Sequence, residues 1–194
     1  MRKFFIGFLM ILLLSACSQE ENDEMLLTQN VEIPSTIFTS EKQNRVIDEE
    51  EIKVSIKTYL DSYEELSNAS EPFQELLYEE EELSVEELEK LDEITELTKE
   101  NDENFSNYIL NNTLPKGYQE ESERISRYIT AVNEMLYEID EMVDSLTNDA
   151  SKGVLPKVNV TSVIGKFSVV NGKEQEEIEK FLDKKNINTK AFEQ

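Results

Sequence analysis

Between Tyr118 and Lys152 the chain contains neither glycine nor proline, and Ile125, Tyr128, Val132, Met135, Ile139, Met142 and Leu146 recur at three-four spacing. That period places them on one face of an α-helix. Ile129, Leu136 and Val143 widen the stripe to the breadth of a core-facing helix. A helix of about 30 residues is about 45 Å long at 1.5 Å per residue. Most helical stability comes from packing such a face, so this helix needs partners that bury stripes of their own.

Two further segments supply them. Asp48 is placed to cap a helix with Glu51 reaching back, and Ile47 and Ile52 are spaced as a hydrophobic staple. The stripe is Ile52, Ile56, Tyr59, Leu60, Tyr63 and Leu66, and Asn68-Ala69-Ser70 is expected to close the helix. A short helix should follow from Ser70-Glu71-Pro72, with proline in its first turn and Phe73, Leu76 and Leu77 buried. Ser84 and Glu87 form a capping box with Leu83 and Leu88 as staple, opening a helix expected to run to about Asn111. Its seam is Leu88, Leu91, Ile94 or Thr95, Thr98, Asn101 or Asp102, Phe105, and Tyr108 or Ile109. The tyrosines at or beside these seams (Tyr59, Tyr63, Tyr108, Tyr128 and Tyr137) are expected to pack their rings in the core with hydroxyls at the rim. Beyond Gly153, the β-branched and aromatic run Val158–Val170 reads as extended chain or a small strand pair. Asn171 then reads as an N-cap, with Glu174 three residues on and Ile178, Phe181 and Leu182 as a docking face. The expected fold is all-α: an elongated antiparallel bundle over residues 41–151. Residues 17–40 form a tether and extended segment, and residues 152–194 an extended segment plus a short helix packed on the bundle.

Composition removes whole classes of chemistry. The chain has no histidine and one cysteine, Cys17. Without histidine, Ser-His-Asp and Cys-His catalysis are excluded, and so is the commonest transition-metal ligand. The formal net charge is −24, which repels a phosphate backbone and argues against nucleic acid as a partner. Residues 17–151 hold nine basic and 37 acidic side chains, whereas residues 152–194 hold eight lysines and six acids. Paired carboxylates can hydrolyse glycosides, but no acid pair is marked out. Glu79-Glu80-Glu81-Glu82 would serve calcium only if six to eight oxygens converged, and consecutive helical glutamates diverge, so a solvated face is expected. The reading is a non-enzymatic chain with no cofactor and no metal.

The N-terminus carries an address. Arg2 and Lys3 precede eleven uncharged residues, Phe4–Leu14, interrupted only by Gly7. This run is too short for a permanent span and has the form of a secretory signal. Leu14-Ser15-Ala16-Cys17 resembles the bacterial lipobox. The resemblance implies removal of residues 1–16, a lipid on Cys17, and anchorage to the outer face of the cytoplasmic membrane. Within the body, Asn101-Asp102-Glu103-Asn104-Phe105 resembles the motif of the NDxxF lipoproteins of low-GC Gram-positive bacteria. That resemblance implies a surface lipoprotein and carries over no catalytic residue. The expected function is binding of a protein or cell-envelope component. The alternative is a small-ligand or hard-cation site at the polar break that Asn101 and Asp102 make in an apolar seam, where a buried amide or carboxylate must find partners. The structural version of the same feature has Phe105 as a core anchor and the polar pair bonded to a facing element.

Overall fold

The computed structural model describes residue 28 and residues 30–78, 83–151 and 167–192, with side chains at all of these except 78, 136 and 138–151. The signal and Cys17, the tether as far as residue 27, the Glu79–Glu82 run, and most of the extended segment after Gly153 lie outside the described residues. So do the side chains of Leu136, Ile139, Met142, Val143 and Leu146.

Asp48 starts the first helix, its Oδ1 accepting the Glu51 N–H at 2.9 Å. Ile47 and Ile52 are both buried, as a staple requires. The Glu51 carboxylate does not reach back; it accepts the Tyr108 hydroxyl at 3.1 Å and pairs with Lys42 at 2.7 Å. Helix α1 spans Glu49–Tyr78, α2 Val85–Leu110, α3 Gln119–Ser151 and α4 Gly172–Lys185. The protein is all-α: no strand occurs among the described residues, where Val46 and Thr113 make only an isolated parallel bridge.

One expected boundary is corrected. Asn68-Ala69-Ser70 does not end a helix, and no separate short helix follows; α1 continues through Pro72. Leu66, Ala69 and Phe73 are buried at helical spacing and carry the stripe across the expected break. Packing along one unbroken face outweighs the hydrogen bond that proline cannot donate. Leu77 is 44% exposed and Leu88 50%, so the burial expected of the first and the staple expected of the second are not formed.

Residues 28–35 and 65–96 form one unit of the chain, and residues 36–64 and 97–192 the other. In the first, Leu66, Ala69, Phe73 and Ile94 are buried. The capping box closes in both directions, with Ser84 N–H donating to Glu87 Oε2 at 2.7 Å and Glu87 N–H to Ser84 Oγ at 3.3 Å. The other Glu87 oxygen takes the Thr28 hydroxyl.

In the second unit neighbouring helices are antiparallel. The start of α1 meets the end of α2 through Glu51 and Tyr108, while Tyr59 stacks on Phe105 further along. Gln119 Nε2 donates to the Ile109 carbonyl at 3.1 Å, and Asn133 reaches Asp102 from farther up α3. Helix α4 runs back along α3, with Phe181 edge-on to Tyr118 and Gln175 accepting the Tyr128 hydroxyl at 3.3 Å. Asn171 caps α4 as expected, accepting the Lys173 and Glu174 N–H groups. Ile178, Phe181 and Leu182 are buried in a core that also holds Phe38, Ile56, Leu60, Ile125, Ile129, Ile187 and Ala191. At one corner Glu49 accepts the Tyr118 hydroxyl at 2.8 Å and Lys185 Nζ at 3.3 Å, and that ammonium sits 4.2 Å from the Tyr118 ring centroid.

Candidate functional site

The α2 register brings Asn101, Asp102 and Phe105 to the inward face together, all buried. Positions three and four apart share a helix face, so the motif and Tyr108 and Ile109 below it form one continuous surface. Phe105 lies flat on Tyr59, with ring centroids 4.1 Å apart and planes 4° from parallel, and meets Phe38 edge-on at 5.4 Å.

Both ends of the Asn101 amide are used. Oδ1 accepts the Phe38 N–H at 2.9 Å and Nδ2 donates to the Tyr59 carbonyl at 3.2 Å. Asn104 Nδ2 donates to the Phe38 carbonyl at 3.1 Å, so two side chains one turn apart bind both polar groups of a single backbone residue. Asn112 repeats the device at the end of α2. Its Oδ1 accepts the Arg45 N–H at 2.9 Å, and its Nδ2 donates to the Lys42 and Tyr108 carbonyls, each at 2.8 Å. These three asparagines lace the extended segment preceding α1 onto α2, satisfying backbone groups at Phe38, Lys42 and Arg45 that no sheet neighbour serves.

Asp102 joins three helices. Its Oδ1 accepts the Tyr59 hydroxyl at 2.7 Å and its Oδ2 the Asn133 amide at 3.0 Å. Burial pushes the Asp102 carboxyl above the ordinary carboxylate range, Glu134 adds repulsion, and bonds from Tyr59, Asn133 and Thr130 pull the other way. Burial and the adjoining carboxylate push the Tyr59 phenol well above its ordinary value. The Tyr59 hydroxyl thus lies inside the core and not at its rim, because Asp102 supplies the acceptor there.

No protein-family model, curated protein or solved structure matches this chain.

What the cluster can do chemically follows from where its atoms point. Each oxygen of Asp102 and each end of the Asn101 amide is already engaged by the chain's own groups. Among the described residues, surface depressions of about 220, 360 and 510 Å³ are lined respectively by residues of 179–192, by Arg127 with residues of 168–174, and by residues of 41–47, and the motif lines none of these. Among the described residues, no group of three or more Asp, Glu, His or Cys side chains is placed to hold a metal ion, and no helix is long and apolar enough to cross a membrane. Sequence reasoning missed Tyr59, Asn104, Asn112 and Asn133 as partners. The signal for two of them was the asparagines Asn104 and Asn112, which follow Asn101 along α2 and just past its end. Asn133 on α3 carried no such mark.

Proposed function

We propose that this protein is a lipoprotein held by a lipid on Cys17 at the extracytoplasmic face of the cell membrane. There it binds a protein or cell-envelope component without catalysing a reaction. The address is supported by the Leu14-Ser15-Ala16-Cys17 string behind a short apolar run. Two acyl chains anchor stably, each buried methylene contributing about 0.8 kcal/mol, whereas a net charge of −24 repels anionic head groups. One observation supports surface binding over an interior ligand site. The polar break at Asn101 and Asp102, the strongest candidate for a small-ligand or cation pocket, spends its hydrogen-bonding capacity on Phe38, Tyr59 and Asn133. The motif then acts as a structural bolt, and recognition falls to the exterior. The resemblance to NDxxF lipoproteins fits this reading.

Intact-mass measurement of the membrane-associated chain tests the anchor. A mature form beginning at Cys17 and carrying the mass of its lipid is expected, and Cys17→Ala should leave unprocessed precursor. An unmodified Cys17 in the wild-type membrane fraction would refute the localisation.

A further inference from the structure

We propose that the start of α2 is the docking face for a basic amphipathic helix of a partner protein, an inference that rests on the binding reading above. Val85 and Leu88 are 74% and 50% exposed and lie three residues apart, hence on one helix face. Leu88 occupies a staple position yet is half exposed, and Leu77, in the same unit, is 44% exposed. Single exposed apolar residues are ordinary; what marks this pair is that every charge following it on the same face, as far as Glu96, is acidic. Continuing along that face come Glu89, Asp92 and Glu96, each four residues beyond Val85, Leu88 and Asp92 respectively, and all exposed. The only base from Val85 to Glu96 is Lys90, which points to the other side of the helix, half-buried, with its ammonium 4.0 Å from Glu86. The surface therefore offers an apolar step followed by a row of carboxylates. Its complement is a helix with apolar residues at three-four spacing and lysine or arginine beside them. Opposite charge steers such a partner in and rejects acidic ones. An anionic lipid surface is repelled by the same carboxylates.

The test is photocrosslinking in cells making the full chain, with benzoylphenylalanine placed at Val85, at Leu88 or, as control, at Val54, an exposed apolar residue of α1. Adducts at 85 and 88 should exceed those at 54 by about tenfold, and should map to a basic segment with helical apolar spacing. The double charge reversal Glu89→Lys with Asp92→Lys, at exposed positions that leave the core untouched, should cut them by about tenfold. Equal labelling at 54, an adduct to a second copy or to an acidic segment, or indifference to charge reversal each overturns the proposal. If adducts form only at 54, this docking face is wrong while the binding reading survives. If no position gives an adduct, the docking face falls, and if Cys17 is also unmodified the proposed function falls with it.

Discussion

Phe105 and Asp102 sit one turn apart on α2 and support the fold in different ways. Phe105 is wholly buried against Tyr59 and Phe38, so Phe105→Ala removes transfer energy and leaves a cavity. The expected loss is about 3–5 kcal/mol, read as a lower urea midpoint. Asp102→Ala strands the Tyr59 hydroxyl and the Asn133 amide and should cost about 1–3 kcal/mol. An unchanged midpoint there would mean the carboxylate contributes no net stability. The sign of its pH dependence is fixed by its environment. The folded-state pKa of Asp102 lies above its ordinary value, so the protonated form favours folding. Its contribution therefore grows as pH falls through the raised value, is complete below about pH 4, and is lost as pH rises back through that window. Asp102→Asn removes this dependence and keeps the shape. The stability of wild type relative to Asp102→Asn should rise between neutral pH and about pH 4, measured by urea unfolding at each pH. A constant difference would contradict the raised pKa.

At the scale of elements, the caps were legible because their chemistry is local. Asp48, Ser84 and Asn171 each accept the N–H groups expected of them. The α1 boundary was not legible, because local propensity and the packing stripe disagreed. Asn68-Ala69-Ser70-Glu71-Pro72 reads as punctuation, while Leu66, Ala69 and Phe73 continue the buried face. Ser70 Oγ donates to the Ser67 carbonyl at 2.8 Å instead of ending the helix. Pro72 thus works against its helix: with no N–H it leaves the Asn68 carbonyl without the usual donor. Pro72→Ala should preserve α1 and stabilise the protein, by at most about 3 kcal/mol, with a raised urea midpoint and unchanged helical circular dichroism. A lower midpoint would mean the half-buried ring contributes more by packing than it costs in the backbone. The motif divides along the same line. That Asn101 and Asp102 needed partners followed from their place in an apolar seam, whereas the identity of those partners depended on which residues the facing elements brought opposite. Periodicity carries no information about that. The asparagine lacing of the segment before α1 escaped notice for the same reason, since it joins residues more than 60 positions apart.

At the scale of the whole molecule, the all-α class followed from periodicity alone. One feature of the second unit governs how it is made. Ile178, Phe181, Leu182, Ile187 and Ala191 belong to the same buried core as Ile52, Ile56 and Phe105, and the Lys190 N–H is held by Asp61 Oδ1 at 2.7 Å across 129 positions. Synthesis delivers these groups in order, so a growing chain stopped before residue 175 has Tyr118 and Tyr128 on α3 without the α4 residues Phe181 and Gln175 that meet them. Contacts of such long sequence separation form late and slowly. A ribosome-stalled chain exposing residues only through about 170 should be digested by protease far faster than one exposing residues through 192, even though α1, α2 and α3 are already complete in both. The turns between residues 178 and 192 act as the closing stone of the unit: until they arrive, the nascent chain stays open to whatever protease, chaperone or transporter meets it first.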